Sequence, residues 1–159
     1  GESYKHGVPL RFLLIGKHLQ TGYPRKVENW IKEFNLERVT TWLDFVPHED
    51  VPKYIAAMNL GTIPFDINNS TAYYAAPNKM WEYLSQLKPV VSTPIPEAIT
   101  NKDIIFIAKD GEDYYNILLN LFKNRDREYK KKVIKGYQRA HMRTWIQSVN
   151  KLVNLMIGG

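Results

Sequence analysis

Short apolar runs separated by amphipathic stretches predict an α/β fold, an open parallel sheet with helices on both faces. Three observations carry this expectation. Five runs of four or five residues are mostly apolar throughout, as strands buried on both faces are. The segments between them repeat apolar residues at helical spacing, and no low-complexity linker or internal repeat divides the chain.

The strands are expected at residues 11–15 (RFLLI), 39–43 (VTTWL), 60–64 (LGTIP), 89–92 (PVVS) and 104–107 (IIFI), together a full small sheet. Val27, Trp30, Ile31 and Phe34 mark a first helix, and Val51, Tyr54, Ile55 and Met58 a second. A third is expected over about 77–87, with Pro77 in the first turn, where its missing N–H costs nothing. A fourth runs over about 112–122. The last segment, 126–157, carries Trp145, Ile146, Val149, Leu152, Val153 and Met156 on one stripe, with Gly136 as the expected break or kink.

A chain of 159 residues is expected to be one domain, 1–159, with 126–157 as its C-terminal helical segment. Hydrophobic residues at 44% and charged residues at 24% place it among globular proteins rather than disordered ones. Without cysteine there is no disulfide, thiolate metal site or thiol nucleophile. No apolar run approaches the ~18 residues of a membrane span, and GESYKHGVPL has no signal-peptide core, so the expected location is the cytoplasm or the cytoplasmic face of a membrane. The net charge of +6 is unevenly placed. Nine of the 22 Lys and Arg, but only two of the 16 acids, lie within residues 121–143.

Negative results narrow the chemistry. His6, His18, His48 and His141 lack metal-ligand spacing, and there is no G-x-S-x-G elbow, Walker loop or G-x-G-x-x-G. Gly16 and Lys17 after the first strand are half of a glycine-rich turn, which fits a ligand contact or a plain connection. The informative stretch is 76–93 (APNKMWEYLSQLKPVVST), where a helix starts after a polar loop and leads into a buried strand. Helix N-terminal amides favour an anion such as a diphosphate, Lys79 adds a full charge there, and Glu82 is a bidentate acceptor suited to two ribose hydroxyls. Spacing alone also fits a solvated Lys–Glu surface pair.

The order P-x-K-x-x-E-Y-L followed by K-P-V-V-S-T resembles the donor-site helix and next strand of GT-B glycosyltransferases, in particular the retaining group called family 4. Phe12-Leu13-Leu14-Ile15-Gly16, the segment from Arg38-Val39 to Phe45-Val46-Pro47, the pair Pro96-Glu97 and the late Trp145 are similar to that family in the same order. The resemblance implies a Rossmann-like domain, half of a GT-B fold, that binds a nucleoside-diphosphate sugar. The longer enzyme would transfer the sugar with retention to a polysaccharide, glycolipid or lipid-linked acceptor, as in polysaccharide biosynthesis. By position, Glu82 would hold the ribose, and Asn78, Lys79, Pro77 and Ala76 would surround the diphosphate, with Tyr74 in the preceding loop. Gly16 and Lys17 would join the donor site, and Phe45 and Val46 would lie beside the base. No metal or other cofactor is implied. The N-terminal acceptor domain is absent from this chain and is its expected partner.

Departures accompany the matches. Tyr74 stands where many relatives have a second glutamate, which it cannot replace. Leu87 and Asp44 stand where the family has glycine, so each is expected to need a different turn. Three other readings remain open: a non-catalytic α/β interaction module, a GT-B-shaped nucleotide-sugar epimerase, and nucleic-acid binding through the basic segment. The last is the least expected. For residues 123–143 an ordinary solvated face is the default, and the sharper expectation is peripheral contact with an anionic membrane.

Overall fold

The computed structural model describes residues 10–17, 22–143, 149–150, 153–154 and 156–157. His6, His18 and Trp145 lie outside the described residues. The chain divides into two compact units, Gly1–Pro52 and Lys53–Gly159, each described by itself.

In the first unit, β1 (Phe12–Ile15) pairs in parallel with β2 (Thr40–Leu43), from Phe12↔Thr40 to Ile15↔Leu43. Parallel neighbours need a crossover, and α1 (Gly22–Glu33) supplies it. Asn35 closes α1 in the left-handed conformation, φ 52°. The Leu36 amide donates to Ile31 O at 2.8 Å and the Asn35 amide to Lys32 O at 3.1 Å. This is the two-bond Schellman closure, and asparagine is one of the few residues that accept it readily.

From α2 (Val51–Ala57) the chain enters the second unit: β3 (Gly61–Ile63), α3 (Ser70–Tyr73), α4 (Asn78–Leu84), β4 (Val90–Ser92), α5 (Pro96–Thr100), β5 (Phe106–Ile107), α6 (Gly111–Lys123) and α7 (Arg127–His141). The sheet order is β3-β4-β5, all parallel. Alternation along β4 separates two cores. Val90 packs with Ile63, Met80 and Leu84, which puts α4 on one face. Val91 packs with Leu121, Ile117 and Tyr114, which puts α6 on the other. Helices therefore cover both faces, as the sequence predicts.

Every expected strand is present within two residues of its expected bounds, but the pairing forms two sheets rather than one ladder of five. The strands are only two to four residues long, and Pro64 follows β3 directly without an N–H to extend a ladder. Ile104 and Ile105 were expected in a strand. They form a buried turn instead, with both amides donating to Asn101 O at 2.9 and 3.2 Å. Helices α3 and α5 are too short to show periodicity. Their signals are capping ones: Asn69 Oδ1 accepts from the Ala72 amide at 3.2 Å, and Pro96 opens α5.

Two glycine expectations are corrected. Gly136 does not break α7; it lies buried inside it, because a Cβ there would sit 2.6 Å from Leu84 Cδ2. The glycine lets α7 approach α4 closely. Leu87 does not avoid the left-handed turn either: its φ is 56°. The Lys88 amide donates to Tyr83 O and the Leu87 amide to Leu84 O, both at 3.1 Å, repeating the closure that Asn35 makes after α1. Asp44, by contrast, is not among the left-handed residues, so a different turn is made there.

Part of the basic segment is engaged by the fold. Arg139 holds Asp103 through two bonds of 3.0 and 2.8 Å, and Lys135 Nζ lies 2.6 Å from the same carboxylate. These bonds hold the Asp103 carboxyl far below the usual range, so its contribution to stability persists above its unfolded pKa and is lost only in strong acid. Lys132 Nζ donates to Lys102 O at 2.8 Å and Ile105 O at 3.0 Å. Arg127, Lys130 and Lys131 stay exposed.

The Leu87 conformation generates a prediction. A left-handed non-glycine residue costs about 1–2 kcal/mol, and glycine returns about 0.5–1 kcal/mol of that through unfolded-state entropy. Leu87→Gly is therefore expected to stabilise the chain by roughly 0.5–1 kcal/mol in denaturant unfolding. An unchanged or lower midpoint would show that the turn is not strained.

Candidate functional site

The site is built around α4, which is held between two glycines. Toward the sheet, a Cβ on Gly61 would fall within the ring of Tyr83, so β3 accepts that ring only as glycine. Toward α7, Gly136 admits Leu84. Met80 and Leu84 are fully buried between them. With 100° between successive residues, burying residues 80, 83 and 84 directs Asn78 and Glu82 to the opposite face and leaves Lys79 on its flank, beside Phe65.

Pro77 precedes α4 in extended conformation and makes no side-chain cap bond. The first amides of a helix lack partners in the regular ladder; here the Met80 amide donates back to Pro77 O at 3.0 Å, which leaves those of Asn78 and Lys79 to a ligand or solvent. The helix has seven residues rather than the eleven expected over 77–87, so Lys79 carries more of the argument for an anion than the dipole does. The Lys79 ammonium lies 4.7 Å from the centroid of the Phe65 ring and makes no ion pair among the described residues. Burial pushes its pKa below the ordinary 10.5. An anion arriving there would restore what burial takes away. Glu82, half-buried, shares this face one turn on.

The loop before α4 is fastened from below. Thr93 Oγ1 donates to Phe65 O at 2.8 Å, and Ser92 Oγ donates to Thr93 O at 2.9 Å. Asp66 is a turn residue, its Oδ1 accepting from the Asn68 amide at 2.9 Å. Ala76 and Tyr74 are exposed and Pro77 is buried. The sequence reading contained Ser92 and Thr93 in the K-P-V-V-S-T motif and Arg143 in the basic segment, but not their contacts: the hydroxyls bind the loop, and the guanidinium lies 4.2 Å from the Trp81 ring centroid and 3.7 Å from Glu97 Oε1. The S-T pair after β4 was the available signal for the first; nothing in the spacing pointed to the second.

Gly16, Lys17, Phe45 and Val46 belong to the first unit, at the carboxyl ends of its paired strands. Gly16 has φ 152°, its amide donates to Leu43 O at 3.0 Å, and Trp42 Nε1 donates to its carbonyl at 2.9 Å. Lys17 and Phe45 are exposed and Val46 is half-buried. Among the described residues no group of three His, Asp or Glu side chains gathers as metal ligands. No described helix is long and apolar enough to cross a membrane.

Comparison with known proteins agrees with this architecture. No curated protein sequence matches the chain. Among solved structures it is similar to sucrose-phosphate synthase from Thermosynechococcus elongatus, with TM-score 0.71 and 16% identity over 92% of this chain and 39% of that one. It is also similar to Anabaena Alr3699/HepE in complex with UDP, with TM-score 0.74 and 19% identity over 94% of this chain and 41% of that one. The HepE complex with UDP-glucose gives TM-score 0.73 and 20% identity over 93% and 40%. The chain thus spans about two-fifths of the length of these structures. The likeness is one of fold, the GT-B type that the motifs resemble. The family model described as glycosyl transferases group 1 matches residues 3–124, most of the sequence, and the chain belongs to that family.

Proposed function

We propose that this chain binds the nucleoside-diphosphate sugar donor of a retaining glycosyltransferase. The observation that carries the reading is the outward face of α4, where a half-buried lysine without an acid partner stands beside Glu82 and Asn78. Glu82 accepts two ribose hydroxyls. Lys79, Asn78 and the backbone of Ala76 and Pro77 surround the diphosphate. HepE was solved with UDP and with UDP-glucose, which supports a nucleotide sugar as the ligand class here.

In the longer enzyme, breaking the bond between the anomeric carbon and the diphosphate leaves negative charge on the departing oxygen. A fixed ammonium and aligned amides stabilise that charge as it forms, and this step then needs no metal ion. The acceptor, a polysaccharide, glycolipid or lipid-linked sugar, is assigned to another domain of the same enzyme.

Calorimetric titration of the chain with UDP, GDP, ADP and their glucose esters tests the reading. One nucleotide series is expected to bind. Glu82→Gln should weaken it by about 1–3 kcal/mol, the cost of losing charge-assisted hydrogen bonds. The lysine gives a pH signature. Its charge is lost as pH rises through a pKa below 10.5, so diphosphate affinity should fall on the alkaline side, and Lys79→Met should flatten that fall. Unchanged affinity in both variants would remove α4 from the site.

Peripheral contact with an anionic membrane is proposed through cations of residues 123–143 that the fold does not engage. Arg127, Lys130 and Lys131 are available, each contributing on the order of 1 kcal/mol near such a surface. Lys132, Lys135, Arg139 and Arg143 already serve the fold. Charge reversal at Arg127, Lys130 and Lys131 should abolish co-sedimentation with anionic vesicles and leave nucleotide affinity unchanged. Equal binding to neutral vesicles, or none to either, would return α7 to an ordinary solvated face.

A further inference from the structure

The two glycine contacts hold α4 at one end. Gly61 receives Tyr83 and Gly136 receives Leu84, the last two residues of the helix. Asn78, Lys79 and Glu82 all precede them. Met80 anchors the first half of α4 in the core, but methionine is unbranched and adaptable, so it fills space without fixing an angle. A short helix pinned at its last turn can still tilt, and tilt moves Asn78 and Lys79 most.

A further tie reaches this half from α7. Arg143 follows the end of α7 by two residues, its amide donating to Ala140 O at 3.1 Å. Its guanidinium lies 4.2 Å from the centroid of the Trp81 ring and 3.7 Å from Glu97 Oε1. Glu97 is itself held within α5, where Asn101 Nδ2 donates to Glu97 O at 2.9 Å and to its Oε1 at 3.4 Å. The cation thus stands between an anchored carboxylate and a ring on α4. Arginine suits this place, because a guanidinium can meet a ring and a carboxylate at once.

The order of these contacts gives α7 a direction across α4. Gly136 meets Leu84, and Arg143 meets Trp81, which precedes Leu84 in α4. At 1.5 Å per residue, the two ties are about 10 Å apart along α7. Two separated ties fix an angle, where one fixes only a point. Trp81 and Lys79 lie on opposite flanks of α4, Lys79 beside Phe65.

We infer that Arg143 is a positioning residue of the donor site: through the Trp81 ring it fixes the tilt of α4, and with it the place that Asn78 and Lys79 offer to a diphosphate. The inference rests on the donor-binding reading above and adds to it the residue that aligns the anion-binding end of the helix. Arg143 itself touches no ligand. Its neighbours Lys132, Lys135 and Arg139 are engaged elsewhere, at Asp103 and the carbonyls of Lys102 and Ile105.

Calorimetric titration well below the melting temperature tests this, with whichever of UDP, GDP, ADP and their glucose esters binds tightest to the unaltered chain. Arg143→Ala should weaken binding roughly two- to fivefold, the scale of one exposed cation–π contact. Arg143→Lys, which keeps a cation for the ring, should recover most of that loss. In a Lys79→Met background, Arg143→Ala should cost much less, since the group it aligns is gone. Direct contact between Arg143 and the phosphates would instead give equal losses in both backgrounds. Trp81→Leu keeps apolar bulk without the ring; it should reproduce the Arg143→Ala loss without adding to it, and it supplies the same comparison if Arg143→Ala does not fold. Unchanged affinity in these variants, no recovery by lysine, or equal losses in both backgrounds overturns the inference and leaves the donor-binding reading standing. Failure of the unaltered chain to bind any of the six ligands overturns that reading, and the inference with it.

Discussion

The close seating of α4 between β3 and α7 is the constraint on which the rest of the second unit depends. Gly61 and Gly136 each occupy a point where a methyl group would collide with a side chain of α4, Tyr83 and Leu84 respectively. Interiors are packed to crystal-like density, so a helix gripped on two sides has little freedom to rotate. Rotation of α4 by one residue would carry Glu82 away from its present face. The two glycines thereby set the direction of the candidate site without touching a ligand.

Electrostatics divides the same way, between charges that build the fold and Lys79, which has no acid partner among the described residues. The basic segment accounts for all of the net positive charge, yet Lys135 and Arg139 bind Asp103, Lys132 two carbonyls, and Arg143 Glu97 and the Trp81 ring. These contacts dock α7 and so support α4 from behind. Lys79 makes no such pair, and burial already works against its charge. A lone half-buried cation is the more informative one, because its desolvation is offset only when an anion arrives.

Strand positions and most helices were legible because short apolar runs and helical spacing report burial directly. The edges of that legibility have physical causes. Helices α3 and α5 span four and five residues, less than the window in which a period can be seen. Gly136 was read by its intrinsic helix-breaking tendency, whereas close packing against Leu84 decides its role. Leu87 shows the converse, a turn whose hydrogen-bond closure is worth more than the local strain. The candidate site was legible in the order of Lys79 and Glu82, but how far each is buried depends on how α4 is packed. No spacing rule could separate the cations of α7 that face Asp103 from those that face water.

Donor binding requires α4 to present its exposed side to the ligand, and amide chemical-shift mapping by NMR tests this most directly. On adding the binding nucleotide sugar, the largest shifts in the second unit are expected over residues 74–82, centred on Lys79 and Glu82. Shifts confined to the outward face of α7, at Arg127, Lys130 and Lys131, with 74–82 unmoved, would contradict it.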